Sequence, residues 1–353
     1  MNEPRAGGLK RIAWPLMKWT LCSIVLGFVA YKAFQIWKEG RAHGEELHLH
    51  WPWLLLSGIA YTAGWLPSVW FWRKLMRRLG GDASYLNAAR AYYCGHLGKY
   101  IPGKAMVLVI RGSMLRERGC QFSMGVLTAT YETLVMMGAG ALIGLALAPA
   151  LISPQVQQKL PDFLEPVFQS QFVQFSLQRW WFPPLLVAGI CLLMLPVLSR
   201  LFNLLAVKMT PDKKETAGNI SSSSKRIDAM LLGQGLLLFV VGWMLHGLSL
   251  GCILKGVGIE TFHYADCLIW TGTVSLATAV GFAAVFAPGG AGIREGILIA
   301  ILSQQQGVQG TQAVAVAFLL RIVWLLTELS VAAVLYLLGK NRPAEPGQHL
   351  KVG

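Results

Sequence analysis

Charge is scarce in this sequence. Only 14% of its 353 residues are Asp, Glu, Lys or Arg, against 54% that are hydrophobic, whereas an ordinary soluble domain is about 25% charged. A soluble globular chain is thereby excluded. Acidic residues are the scarcest: 17 Asp and Glu face 31 Lys and Arg, a net charge of +14. The basic residues flank apolar runs and form no polar domain of their own, which argues against a nucleic-acid partner. Cysteine supplies no framework either. The six thiols, at 22, 94, 120, 191, 252 and 267, form no CxxC, and four lie in apolar segments where thiols behave as small hydrophobes. His48 and His50 have no acidic or Cys partner at ligand spacing and read as interfacial side chains beside Trp51 and Trp53. No metal, cofactor or soluble catalytic domain is expected.

Long apolar runs are what the chain has instead. Six are long enough to cross about 30 Å of hydrocarbon as helices of roughly 20 residues: 16–37, 51–72, 122–148, 181–207, 229–254 and 313–338. The fold expected is an all-α polytopic membrane protein. The stretch 12–31 follows Lys10 and Arg11 as a signal peptide would, but no small-x-small cleavage site follows, so it reads as a retained anchor. Basic residues set the orientation. Arg5, Lys10, Arg11 and Lys18, then Arg73, Lys74, Arg77 and Arg78, then Arg200, Lys208, Lys213, Lys214, Lys225 and Arg226 fall on one side. The positive-inside rule makes that side, and both termini, cytoplasmic in a multi-pass protein of the plasma membrane. The Ser-rich segment 208–226 is a flexible cytoplasmic loop, and 151–180 is an extracytoplasmic amphipathic connection.

Two breaks interrupt the apolar pattern. FAPGGAGIREG (286–296) places a proline, four glycines and an Arg-Glu pair between apolar segments, and GHLGKYIPGKAMVLVIRG (95–112) carries a second Pro-Gly. Each half of the chain reads span, span, Pro-Gly break, span. One glutamate, Glu132 or Glu328, lies inside each closing span. Three spans per half invert the second half relative to the first, the pattern of an inverted repeat whose broken helices meet near the midplane. The expected organisation is a first repeat over 1–150 with a re-entrant helix pair near 85–112. A second repeat follows over 181–342, with its pair near 266–303, and then a cytoplasmic tail over 343–353. Irregular backbone at membrane depth is tolerated only against protein or a watery cavity. The other reading of the second break is a loop between full spans, since 266–287 is itself long enough to cross.

Gly98 to Lys104 also satisfies GxxxxGK, but Ala105 stands where a nucleotide site needs a magnesium-binding hydroxyl, and no strand precedes it. FAPGGAGIREG instead resembles the signature of the lysylphosphatidylglycerol synthase membrane-region family, the flippase-like domain proteins. GKYIPGKAMVLVIR resembles the Lys-Tyr-x-Pro-Gly-Lys segment of that family's first half. The resemblance spans essentially the whole chain, which lacks the aminoacyl-transferase domain of full-length synthases. It implies movement or handling of a lipid, with a lipid-modifying enzyme as a partner.

The residues themselves define a candidate headgroup site. Lys99, Pro102, Gly103, Lys104 and Arg111 surround the first break; Pro288, Gly289, Gly290, Gly292, Arg294, Glu295 and Arg321 surround or face the second. Ionisable groups at membrane depth are costly, about 2.5–3.5 kcal/mol on insertion scales, so each needs a cavity or a partner. Arg and Lys beside glycine-rich backbone suit a phosphodiester, and N–H groups at the start of the returning helix favour the same anion. Arg321 and Glu328 share a helix face, with Trp324 between them, and also suit internal ion pairing. Glu132, Glu328 and His246 are intramembrane charge partners; His246 suits a proton relay or an interhelical hydrogen bond. The expected function is translocation of an anionic phospholipid or lipid-linked glycan headgroup. The alternative is a membrane-embedded transferase with Glu132, Glu295 or Glu328 as general base. The orientation has a direct check: with native cysteines removed, Glu215→Cys is expected to react with an impermeant maleimide only after the membrane is opened. Labelling from outside intact cells contradicts it.

Overall fold

Proline shapes the first described span. The computed structural model describes residues 31, 34, 35, 38, 49–81, 83–101, 105–117, 120–151, 171–179, 181–209, 227–259, 266–284, 287–305 and 307–340. Helix α1 (Trp51–Gly64) and helix α2 (Leu66–Arg78) together form a candidate span of 28 residues. Pro67, in the first turn of α2, has no N–H to donate back into α1, and its ring crowds the preceding turn. The chain therefore kinks at Trp65, whose N–H takes a tight bond to the Thr62 carbonyl at 3.2 Å. Arg77 and Arg78 close α2 where cations suit the helix dipole.

Shorter helices follow. Helix α3 (Tyr85–His96) is capped by Ser84, whose hydroxyl accepts the Asn87 N–H, and it tightens into a 3-10 turn over Leu97–Tyr100. Helix α4 (Met106–Arg116) has only 11 residues. Helix α5 (Phe122–Leu151) has 30 and is long enough to cross. The short α6 (Gln171–Gln178) precedes α7 (Phe182–Met209) and α8 (Ala229–Gly256), the latter capped by the Asp228 carboxylate on the Leu231 N–H. Helix α9 (Asp266–Ala283), a 3-10 turn at Pro288–Gly290, α10 (Ile293–Leu302) and α11 (Gly310–Lys340) complete the described chain.

Six helices are long and apolar enough to span: Trp51–Arg78, Phe122–Leu151, Phe182–Ala206, Ala229–Gly256, Asp266–Ala283 and Gly310–Leu338. Five coincide with runs expected from the sequence. The expected span 16–37 lies largely outside the described residues, as do the loop 208–226 for the most part, the tail 343–353 and Pro102, Gly103 and Lys104. Asp266–Ala283 takes the sixth place. Its 18 residues rise about 27 Å, whereas the 10 of α10 rise only about 15 Å. The second break thus joins a span-length helix to a half-length one, and the first joins two half-length helices.

Helix α8 is the centre of the bundle, packed between α1 and α9; α9 lies along α5, and α11 covers α1, α3 and α10. Small residues let these backbones approach, as is usual for helices packed in lipid. A Cβ on Gly242 of α8 would come within 2.8 Å of the Gly64 carbonyl oxygen of α1, while one on Gly138 of α5 would meet nothing within 4 Å. Helix α7 turns Leu192, Leu193 and Leu204 outward, an apolar face suited to lipid tails. Gly242→Ala is expected to destabilise the bundle by about 1–3 kcal/mol through overpacking, and Gly138→Ala to leave thermal unfolding in detergent unchanged or slightly raised. Equal melting temperatures for wild type and Gly242→Ala would contradict the close α1–α8 approach.

Candidate functional site

The two breaks meet. The turn Leu97–Tyr100 touches the turn Pro288–Gly290, and a Cβ on Gly289 would stand 3.4 Å from the Tyr100 ring and 3.2 Å from Arg321 Nη2. Gly289, Gly290 and Gly292 hold φ values of 58°, 70° and 84°, a left-handed region that costs other residues strain. This requirement accounts for the GGAG in the sequence. Beside the contact lies a cavity of about 360 Å³, room for about a dozen waters at roughly 30 Å³ each. Its walls come from the α1 kink, α3, the first turn, α4, α5, α9, the second turn, α10 and α11.

Three carboxylates organise the surrounding charges. Glu132 on α5, fully buried, accepts from Arg111 Nη1 at 2.8 Å and from the Tyr92 hydroxyl at 3.0 Å. The Arg111 guanidinium also lies 3.7 Å from the Tyr92 ring centroid. Gly95 makes this possible, because a Cβ there would collide with the Arg111 side chain at 2.5 Å. Glu328 on α11 accepts from Lys99 Nζ at 2.5 Å, from the Tyr100 hydroxyl at 3.0 Å and from the Tyr61 hydroxyl. His96 Nε2 stands 3.0 Å from Lys99 Nζ and 3.7 Å from Glu328. Glu295 accepts from Arg321 Nη1 at 2.9 Å and, through its other oxygen, from the Gly292 N–H at 2.6 Å. Arg321 Nη1 also reaches the Gly289 carbonyl at 3.2 Å.

Arg294 stands apart. It is 7% exposed and lies 4.1 Å from the Trp324 ring centroid. Among the described residues no carboxylate pairs with it. Its neighbours in the cavity wall include further unsatisfied polar atoms: Trp65 Nε1, Arg111 Nε and Thr278 Oγ1.

Of the residues expected at the site, Lys99, Arg111, Gly289, Gly290, Arg294 and Glu132 line the cavity. Glu295, Arg321 and Glu328 stand behind its wall through the ion pairs above. Arg321 and Glu328 do not pair with each other; Glu295 claims the first and Lys99 the second. Glu295 also occupies a backbone N–H at the start of α10 that the sequence reading offered to an external anion. Pro288 opens the second turn, while Pro102, Gly103 and Lys104 fall outside the described residues. His246 is buried against Tyr61, Trp65 and Trp324, with Nε2 unbonded. The aromatic wall of Tyr61, Trp65, Tyr92 and Trp324 went unexpected. Its signal lay in the pairs Tyr61/Trp65 and Tyr92/His96, each four residues apart on one helix face.

The fold and site define a multi-pass α-helical membrane protein with a largely apolar cavity, set with a few charged side chains, at the meeting of two helix breaks. Residues 23–331 match the lysylphosphatidylglycerol synthase TM region family. The chain belongs to that family. A search of curated proteins returns no match.

The Arg111–Glu132 pair generates a prediction. Glu132→Gln leaves Arg111 buried without its counter-charge and is expected to cost about 3–5 kcal/mol of stability. Pairing it with Arg111→Met removes the stranded charge and is expected to recover most of the loss in thermal unfolding. A double variant as unstable as the single one would contradict the pairing.

Proposed function

We propose that the protein moves a membrane lipid between leaflets, sheltering its anionic headgroup in the cavity while the tails stay in the bilayer. One observation carries this reading: Arg294 is buried at the cavity wall with an aromatic face beneath it and, among the described residues, no salt-bridge partner, since the adjacent Glu295 gives its two oxygens to Arg321 and the Gly292 N–H. A guanidinium held in low dielectric without a counter-charge is costly. A phosphate headgroup would supply the missing anion through two parallel N–H contacts that lysine cannot match. Trp65 Nε1 and Arg111 Nε offer further donors in the same cavity.

Membership of a family named for a phospholipid-modifying synthase supports a lipid as the cargo, whether a phospholipid or a lipid-linked glycan. On this reading both Pro-Gly breaks are re-entrant, the segments 1–150 and 181–342 form an inverted repeat, and the termini face the cytoplasm of the plasma membrane. Such a repeat would expose the central site to either side in turn. A lipid-modifying enzyme would supply or consume the cargo. A transferase would instead draw its general base from Glu132, Glu295 or Glu328, and each would first have to give up an ion pair.

The test is a dithionite-quench assay on purified protein in vesicles doped with fluorescent phosphatidylglycerol. Arg294→Ala and Arg294→Lys are each expected to slow lipid movement by about tenfold or more, the lysine lacking the planar fork. Gly138→Ala should move lipid at the wild-type rate. Wild-type movement by Arg294→Ala would overturn the proposal.

A further inference from the structure

We infer that the cavity takes a headgroup whose only charge is negative and turns away one that also carries an ammonium. This selectivity builds on the headgroup-binding reading above and concerns binding alone.

The charges at the site are unequal. Among the described residues, Lys99, Arg111, Arg294 and Arg321 are four cations around three carboxylates, and Arg294 is the one that forms no salt bridge. A bound group that brings one negative charge makes the site neutral. A group that brings a phosphate and an ammonium together leaves it as unbalanced as before, and one with a second ammonium makes it worse.

Among the described residues no carboxylate oxygen at the site is free to receive an ammonium. Both oxygens of Glu132 are engaged, one by the Tyr92 hydroxyl and one by Arg111. Both oxygens of Glu328 are engaged, one by Lys99 and Tyr61 and the other by Tyr100. Glu295 divides its two between Arg321 and the Gly292 N–H. Aromatic faces are the other resting place for an ammonium, and the protein's own side chains occupy the nearest ones. Arg294 covers the Trp324 ring at 4.1 Å, with Tyr61 stacked on the same indole at a centroid distance of 4.1 Å, and Arg111 lies over Tyr92 at 3.7 Å.

The unsatisfied atoms point the same way. Trp65 Nε1 and Arg111 Nε can only donate, and each belongs to a residue more than nine-tenths buried. Of the fully buried, unbonded side-chain atoms of the cavity wall, Thr278 Oγ1 alone can accept among the described residues. Spare donors around an excess of one cation match phosphate oxygens and mismatch an amine. The family's name refers to a lysine-esterified lipid; the chemistry of this cavity fits the unesterified anionic lipid instead.

Binding of three short-chain lipids to the purified full-length protein in detergent separates the outcomes: dihexanoyl phosphatidylglycerol, its lysyl ester and dihexanoyl phosphatidylethanolamine. At low ionic strength phosphatidylglycerol is expected to bind more tightly than either amine by about tenfold or more, because like charges repel strongly below the dielectric of water. Thr278→Asp, which sets an unpaired carboxylate in the wall, should narrow or reverse that preference. Arg294→Gln should weaken phosphatidylglycerol and bring the three lipids to within about threefold of one another. If Arg294→Gln does not fold, Thr278→Asp alone carries the test. Equal or tighter binding of the lysyl ester or the ethanolamine lipid by the wild-type protein overturns the inference, as does no binding of any of the three. Anion-selective binding without lipid movement in vesicles would support the selectivity while removing the translocator reading. Movement without selectivity would do the reverse.

Discussion

A charge buried in a membrane protein must be matched, and the polar interior of this one is arranged around that requirement. Glu132, Glu295 and Glu328 each hold a cation that belongs to another element: Arg111 on α4, Arg321 on α11 and Lys99 in the first turn. Removing any of these carboxylates would strand a cation in low dielectric, which costs far more than an ordinary hydrogen bond is worth. The pairs therefore tie the broken helices to the long ones and fix where the two turns meet.

The same accounting makes Arg294 meaningful. After each break a short helix carries an arginine and the long helix nearest it along the chain carries a glutamate, Arg111 and Glu132 in one case and Arg294 and Glu328 in the other. In the first half they pair, as Arg111 with Glu132. In the second, Glu328 is taken by Lys99, Tyr61 and Tyr100, and Arg294 lies on the Trp324 ring without a salt bridge among the described residues. On the proposed reading, a bound anion would take beside Arg294 the place that Glu132 takes beside Arg111. Aromatic side chains serve both roles: Tyr61 from the cavity wall and Tyr100 behind it satisfy Glu328, and Trp324 supports the Arg294 guanidinium.

Much of this was legible in the chain before any coordinates. Spans show as apolar runs because lipid demands about 20 such residues, and GGAG marks the second break because three of its glycines need positive φ. Arg294, Arg111 and Glu132 stood out as charges that an apolar run would not carry idly. Partner choice was not legible. Arg321 and Glu328 share a helix face, yet each bonds across to another element, because pairing depends on how helices cross rather than on spacing along one of them. Asp266–Ala283 leaves two readings open in the sequence, limb of a re-entrant pair or full span, because the glycines that follow break the pattern while its own length reaches across. The aromatic cavity wall escaped notice because Tyr61, Trp65, Tyr92 and Trp324 look individually like ordinary core residues.

The central claim is that Arg294 is a buried cation completed by an anionic lipid. Native mass spectrometry of lipid retained through purification tests it most directly, comparing the wild-type protein with Arg294→Gln from the same cells. The account predicts an anionic phospholipid or lipid phosphate on the wild-type protein and its loss from the variant, with both proteins equally folded. Retention of the same lipid by both, or of a lipid without net negative charge by the wild type, would contradict it.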